Sequence, residues 1–200
     1  AFPMTSRRGP FVVHGARTVY DNPWITLTDH DVSVASGRRF SYTVVGFRRR
    51  AAGVVPLHED GTVTLVGQHR FPLDAYSWEL PEGGVEPDET PLQAMQRELA
   101  EEASLAAADW RQILRLHLSN SVTDEEAFVY LALGLTPASG EPDDTEELAV
   151  RRLPFAEALA MAADGRITDS ISVAALLRVH HMAVNGELPG GLNDLLAAPR

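Results

Sequence analysis

Short apolar runs alternate with polar turns through the first part of the chain. The runs are rich in β-branched and aromatic residues, as strands are, and they cover residues 12–13, 18–20, 24–27, 32–34 and 40–45. Turn-forming sequences separate them, among them Asp21-Asn22-Pro23 and Ser36-Gly37. The pattern predicts a strand-rich region from residue 11 to about residue 78.

A hairpin is predicted around Asp60-Gly61, because Asp-Gly is among the strongest short hairpin signals. Its strands would be residues 53–57 and 62–66. Residues 81–88 carry two glycines and two prolines, so they are predicted to form a loop.

A helix is predicted after this loop. Thr90 suits the N-cap, and Pro91 suits the first helical position. Gln93 completes a capping box with Thr90, and the helix is expected to end near Ala103.

The second half of the chain adds two strands, near residues 112–118 and 127–135, and an acidic loop over residues 137–147. A strand over residues 148–153 then leads to two helices, over about 155–163 and 170–185, and to a tail. Many strands, one helix, more strands and then helices is the order of an α+β fold or of a mixed-sheet sandwich.

Composition excludes several classes of protein. The absence of cysteine excludes a disulfide scaffold, a Cys-ligated zinc site and a thiolate nucleophile. A net charge of −11 disfavours binding to a nucleic acid polymer. No apolar run reaches membrane-span length and no leader is evident, so we expect a cytoplasmic protein that binds no membrane. Residues 1–3 precede Met4 and are expected to be a cloning remnant.

The predicted helix has two distinct faces. Leu92, Met95, Leu99 and Ala103 share one stripe, which is a core face. Three glutamates, Glu98, Glu101 and Glu102, lie within one turn on a neighbouring face. Such a cluster is often only a solvated acidic face, but it also offers compact hard oxygen ligands for Mg²⁺ or Mn²⁺.

The flanking sequence favours the metal-binding interpretation. Gly83, five residues, Glu89, seven residues, Arg97-Glu98-Leu99, one residue and Glu101-Glu102 resemble the Nudix box, G-x5-E-x7-R-E-U-x-E-E-x-G-U, where U is apolar. Eight of the nine specified positions match, Leu105 being the last. The departure is Ser104 in place of glycine, and we expect it to shift the end of the helix or to strain it slightly.

Sequences outside the box resemble one branch of the family, the ADP-ribose and nucleoside-diphosphate-sugar pyrophosphatases. The resemblance spans about residues 19–177. The sequences that carry it are Gln68-His69-Arg70-Phe71-Pro72, Trp78-Glu79-Leu80-Pro81-Glu82-Gly83, Tyr20-Asp21-Asn22-Pro23-Trp24-Ile25 and Thr168-Asp169-Ser170-Ile171-Ser172.

The branch implies a domain organisation. It implies a Nudix fold, in which a mixed β-sheet is sandwiched between helices, with an additional N-terminal antiparallel sheet. It also implies a homodimer. We therefore expect a flexible N-terminus over residues 1–10, a strand region for dimerisation or substrate binding over 11–48, the Nudix hydrolase domain over 49–186 and a tail over 187–200.

The resemblance also implies roles for the residues of the box. Glu98 and Glu102 would be the principal ligands of Mg²⁺ or Mn²⁺ and the centre of catalysis, with Glu101 sharing the metal. The backbone carbonyl of Glu82 would ligate too, because Gly83 lets the chain approach closely. Glu89 would be structural, bracing Arg97 and the loop.

Further residues outside the box are implied by the same resemblance. The general base would come from the acidic loop, with Glu146 the first choice and Glu147 and Asp144 the alternatives. Arg70 would bind phosphate. Ser119 and Glu125 match residues that contact the terminal ribose of ADP-ribose. Between them, Asn120-Ser121 replaces the family's Pro-Gly, which favours a hexose-bearing substrate.

The function implied is hydrolysis of the pyrophosphate bond of a nucleoside diphosphate linked to a sugar, giving a nucleoside monophosphate and a sugar phosphate. Two alternatives stay open. One is hydrolysis of dinucleoside polyphosphates or nucleoside triphosphates, and the other is a non-catalytic Nudix domain that senses a ligand.

Overall fold

The computed structural model describes residues 6–140 and 147–197. The chain divides into two compact units. Unit 1 takes Ala1–Arg50 and His117–Glu126, and unit 2 takes Ala51–Leu116 and Ala127–Arg200.

Unit 1 is built on one antiparallel sheet with its strands in sequence order. The strands are β1 (Ser6–Arg8), β2 (Phe11–Asp21), β3 (Ile25–Ser33) and β4 (Arg39–Phe47). The later segment of the unit is fastened to β4, since Val45 N–H donates to the Val122 carbonyl at 2.9 Å and Tyr42 Oη–H to the Ser121 carbonyl at 2.8 Å.

The remaining strands and all the helices described belong largely to unit 2. The strands are β5 (Ala51–Pro56), β6 (Thr62–Arg70), β7 (Ala75–Glu79), β8 (Glu82–Gly84), β9 (Leu105–His117), β10 (Glu126–Pro137) and β11 (Ala149–Pro154). The helices are α1 (Pro91–Ala103), α2 (Phe155–Asp164), α3 (Ser170–Val184) and α4 (Leu192–Ala197). The strands form two sheets, in the orders β8-β5-β10-β9 and β11-β6-β7. The predicted α+β class is confirmed.

The predicted hairpin around Asp60-Gly61 is wrong beyond its turn. His58 N–H donates to the Thr62 carbonyl at 2.9 Å, and Leu57 bridges Val63. Beyond that point the two strands separate into different sheets, because β5 pairs in parallel with β10 and β6 pairs with β7 and β11. The turn at Asp60-Gly61 was predicted correctly. The pairing of each flanking strand is determined instead by the buried strands beside it.

The predicted loop over residues 81–88 contains a short strand. Glu82–Gly84 form β8, which pairs antiparallel with Ala51–Gly53 of β5. Val54 N–H also donates to the Pro81 carbonyl at 2.9 Å. The segment before α1 is therefore fixed to the sheet rather than carried on a free loop.

Helices cover both faces of the β5-containing sheet. Met95 and Leu99 of α1 are fully buried in a core cluster with Ala52. The neighbouring residue, Gly53, faces α3, where a Cβ would come within 2.6 Å of Ile171 Cγ2. Adjacent strand residues point to opposite faces, so α1 and α3 pack on opposite sides.

Both ends of α1 follow from its sequence. The capping box is present, with Gln93 N–H donating to Thr90 Oγ1 at 3.2 Å and Thr90 N–H to Gln93 Oε1 at 2.8 Å. Ser104 adopts the left-handed conformation, with φ 52°. The helix therefore ends where a box glycine would end it, and β9 begins at once at Leu105 rather than near the predicted residue 112.

No helix within residues 6–140 and 147–197 is both long enough and apolar enough to cross a membrane.

Candidate active site

The acidic face of α1 lies against the short strand β8. Glu102 is buried, with 8% of its surface exposed, and its Oε2 accepts a hydrogen bond of 3.1 Å from the backbone N–H of Glu82. A carboxylate buried at the end of a helix is held in one orientation by such a bond. Helix and strand are therefore joined at Glu82 and Glu102, two of the four residues expected to ligate metal.

Gly83 makes this approach possible. A Cβ at position 83 would lie 2.1 Å from Oε1 of Glu98 and 2.4 Å from its carboxyl carbon. The Glu98 carboxylate therefore occupies the space that any other residue's side chain would fill.

Arg97 neutralises the crowded glutamates. Its Nη1 donates to Glu98 at 2.8 Å and to Glu101 at 3.0 Å. Its Nη2 donates to Glu89 at 2.8 Å and to the Gly84 carbonyl at 3.3 Å. These carboxylates, Glu89 first, raise the pKa of Arg97 above its already high ordinary value. Arg97 thus connects α1 to the segment that precedes it.

The donor set has the chemistry of a divalent metal site. Glu98, Glu101, Glu102 and the Glu82 carbonyl are all hard oxygen donors, as Mg²⁺ and Mn²⁺ require. Within the described ranges, no three acidic or imidazole side chains converge closely enough to hold an ion. Glu98 and Glu101 accept hydrogen bonds from Arg97, and Glu102 accepts one from Glu82 N–H.

Arg70 lies at the end of β6 and is held by two acidic side chains. Its Nε donates to both oxygens of Glu79, at 3.1 and 3.0 Å, and its Nη2 also contacts Glu79. Nη2 donates to Glu82 Oε1 at 3.2 Å. The Glu79 side chain is 4% exposed, whereas that of Arg70 is 32% exposed, so part of the Arg70 side chain is accessible to solvent.

The buried carboxyl group of Glu82 lies close to other acidic side chains. Burial raises its pKa well above the usual range, and the carboxylates of Asp169 and Glu79 add to the effect. Its Oε2 atom is buried and has no hydrogen-bond partner. A buried carboxylate oxygen without a partner is costly, so this atom is ready to accept a proton or a cation.

A cavity of about 360 Å³ adjoins this group. Arg70, Glu79 and Glu82 line one part of it, and Thr168-Asp169-Ser170 line another. Asp169 caps α3 by accepting a hydrogen bond of 2.6 Å from Ser172 N–H. The 168–170 sequence therefore contributes a wall of the cavity.

The other predicted site residues lie elsewhere in the chain. Glu146 and Asp144 fall outside the described residues, and Glu147 is exposed just before β11. Ser119 and Glu125 belong to unit 1, whereas Arg70 and the box residues belong to unit 2. Ser119 is exposed, and burial, followed by Asp124, raises the pKa of the half-buried Glu125.

Glu79 and Asp169 were not predicted to be site residues. Ser77 and Glu79 lie on one face of β7, and the structure shows that both are buried. Two buried polar residues on one strand face indicate a polar site rather than core. Asp169 precedes a helix and offers only the ordinary signal of an N-cap.

Comparison with known proteins agrees with this arrangement. The family model described as the NUDIX domain matches residues 47–174, which is more than half of the chain. The chain belongs to the Nudix family. The match includes Arg70, the box and the 168–170 wall of the cavity.

Similar proteins show to which branch of the Nudix family the chain belongs. It is 33% identical over 147 residues to ADP-ribose pyrophosphatase of Mycobacterium tuberculosis, covering 72% of this chain and 70% of that protein. It is 28% identical over 177 residues to CMP-5'-(N-acetyl-N-hydroxy-3-aminopropyl)phosphonate hydrolase of Streptomyces rubellomurinus, covering 88% and 85% of the two proteins. The predicted Nudix pyrophosphohydrolase of the ADP-ribose pyrophosphatase branch is confirmed.

A solved structure supports the fold. The crystal structure of an ADP compounds hydrolase matches with a TM-score of 0.81 at 24% identity, covering 92% of this chain and 100% of that one. The predicted Nudix fold with an N-terminal antiparallel sheet is thereby confirmed.

Proposed function

We propose that this Nudix enzyme hydrolyses the pyrophosphate bond of a nucleoside diphosphate linked to a sugar, such as ADP-ribose or a nucleotide sugar. Water adds across the bond, one P–O bond breaks, and the products are a nucleoside monophosphate and a sugar phosphate. The observation that carries the proposal is the buried Glu102 carboxylate, which is fastened to the backbone of β8 beside Gly83.

The acidic face would hold Mg²⁺ or Mn²⁺ through Glu98, Glu101, Glu102 and the carbonyl of Glu82. When bound there, a divalent cation supplies charge neutralisation for the diphosphate and lowers the pKa of a water. The protein contributes the orientation, because Glu82 N–H holds Glu102 and the absence of a side chain at Gly83 leaves room for Glu98.

Arg70 would bind a phosphate oxygen of the substrate. Its guanidinium is held by Glu79, about a third of the Arg70 side chain is exposed, and Arg70 lines the cavity. A planar guanidinium suits phosphate geometry. The proposed general base is Glu146, with Glu147 and Asp144 as alternatives.

The names of two relatives support the proposed substrate class. One is named for ADP-ribose and another for a CMP-linked phosphonate, so a nucleoside 5'-phosphate in anhydride linkage is common to both. The group on the other side of the pyrophosphate is proposed to be a sugar. Asn120-Ser121 between Ser119 and Glu125 favours a hexose over the ribose of ADP-ribose.

The test is a substrate panel followed by ³¹P NMR. The purified protein is incubated with Mg²⁺ or Mn²⁺ and ADP-ribose, nucleotide sugars, dinucleoside polyphosphates or nucleoside triphosphates. We expect the fastest release of two phosphomonoesters from an ADP-ribose or nucleotide-sugar member. Faster turnover of a dinucleoside polyphosphate or triphosphate would favour that alternative. Binding without any turnover would indicate a ligand sensor and would overturn the proposal.

We also propose that the protein is a homodimer formed through unit 1. The support is a set of large apolar side chains exposed in this unit, between 41% and 68% of their surface, namely Val19, Tyr20, Trp24, Phe47 and Val122. Exposed apolar patches often mark protein interfaces. Sedimentation velocity should give twice the mass of one chain, and Trp24→Ser should shift the protein toward monomer.

A further inference from the structure

Glu82 contacts both parts of the proposed site. Its backbone N–H donates to Glu102 of the metal-binding face at 3.1 Å. Its side-chain Oε1 accepts from Nη2 of Arg70, the proposed phosphate ligand, at 3.2 Å. One residue therefore joins the two groups that would hold the cation and the phosphate.

The two oxygens of the Glu82 carboxylate are in unequal positions. Oε1 is bonded to Arg70, whereas Oε2 is buried without a partner. The side chain is 13% exposed, so solvent gives little compensation for the unpaired oxygen. A carboxylate in this state gains more from a cation than one that is already fully hydrogen-bonded.

Arg70 Nη2 is also shared. It bonds Glu79 and Glu82, and Glu79 already binds the guanidinium through both of its oxygens. The bond to Glu82 is the weaker and longer contact, and a phosphate oxygen would compete for the same Nη2 donor. The Glu79 contact would keep the guanidinium in place during such an exchange.

We propose that Glu82 is a positioning residue that couples metal binding to phosphate binding. With a cation held on the acidic face, the unpartnered carboxylate oxygen of Glu82 would turn toward it and away from Arg70, which would leave Nη2 available to phosphate. This inference rests on the proposed function, because it assumes a cation at Glu102 and a phosphate at Arg70. It goes beyond the box, since the coupling group is a side chain outside the acidic triad.

Coupling of this kind is reciprocal, so it is measurable from either ligand. The probes are Mn²⁺, followed by the EPR signal of the free ion, and AMP, followed by calorimetry. The affinity of each is measured in the absence and presence of the other, for wild type, Glu82→Gln, Glu82→Ala and a matched surface control, Glu59→Gln. Urea unfolding shows which variants are folded, and loss of an unsatisfied buried carboxylate should not destabilise them.

In wild type, Mn²⁺ should tighten AMP binding by a larger factor than in either Glu82 variant, in which only a direct metal–phosphate contact remains. Both Glu82 variants should reduce the coupling factor, by about fivefold or more. Only Glu82→Ala should tighten AMP binding in the absence of metal, because alanine frees Arg70 Nη2 whereas the glutamine carbonyl can still accept its bond. Glu59→Gln should match wild type.

The failures are distinguishable. Wild-type coupling retained in both folded Glu82 variants would overturn the inference and leave the proposed function intact. A wild type that binds no Mn²⁺, or that binds AMP equally with and without Mn²⁺, would contradict the proposed function and this inference together.

Discussion

The Cα of Gly83 faces the carboxylate of Glu98 so closely that a methyl group there would lie 2.1 Å from Oε1. Real Cβ atoms do not approach oxygen to this distance. The box glycine is therefore required by contact with the Glu98 side chain, a proposed metal ligand, rather than by its backbone angles, because its φ lies outside the left-handed region. Glu98 in turn bonds Arg97, so it cannot move away without losing that ion pair.

Gly83→Ala should therefore reduce both activity and stability. The added methyl group must displace Glu98 or β8, and overpacking of this kind costs about 1–3 kcal/mol. Urea unfolding measures the loss of stability, and the substrate panel measures turnover. Gly191→Ala is the matched control, since nothing lies within 4 Å of its Cβ. Equal behaviour of the two variants would contradict the contact.

Ser104→Gly should stabilise the protein. Ser104 sits at φ 52°, and its N–H donates to the Ala100 carbonyl at the end of α1. Glycine adopts the left-handed conformation without strain, but it loses more conformational entropy on folding. The net gain in unfolding free energy should be about 0.5–1 kcal/mol. Ser104→Ala retains Cβ and should show no gain, and a gain in alanine equal to that in glycine would refute the role of backbone strain.

Arg97→Lys should destabilise α1 against the preceding segment. Lysine cannot reproduce the fork that reaches Glu89, Glu98 and the Gly84 carbonyl together. Loss of these charge-assisted bonds should cost about 1–3 kcal/mol in unfolding free energy. Arg17→Lys is a suitable control, because that side chain is 78% exposed and pairs only weakly with Asp29. If neither Arg97→Lys nor Arg17→Lys lowered the unfolding free energy, Arg97 would not brace α1 against the preceding segment.

Glu125 should make stability depend on pH. Burial raises its folded-state pKa above the ordinary value of 4.5, so the folded protein holds this proton more tightly than the unfolded chain does. Its favourable contribution is complete below the unfolded-state pKa and is lost as pH rises through the folded-state pKa. Glu125→Gln cannot titrate, so it should gain stability relative to wild type over that window. Parallel urea midpoints for the two proteins from mildly acidic to neutral pH would contradict this.

Features fixed by neighbours in sequence were predictable. The N-terminus of α1 required only Thr90, Pro91 and Gln93, and its core stripe followed from helical periodicity. The acidic face was predictable for the same reason, because i, i+3 and i+4 positions on a helix are adjacent whatever the rest of the fold does.

Features that depend on distant segments were not predictable from local patterns. Asp60-Gly61 predicted a turn correctly, but the sheet that each flanking strand joins depends on β10 and β11. The bond from Glu82 to Arg70 joins β8 to β6, and Glu79 reaches Arg70 from β7. Only the packing of two sheets brings these charges together, so their mutual compensation was visible only in the structure.

The central claim is that the acidic face of α1 carries out metal-dependent pyrophosphate hydrolysis, and Glu102→Gln tests it most directly. The measurement is the rate of phosphomonoester release, by wild type and by this variant, from the best substrate of the panel with saturating Mg²⁺. We predict that turnover falls on the order of 100-fold or more while the urea unfolding midpoint stays close to that of wild type. A folded Glu102→Gln protein that retains the wild-type rate would contradict the account.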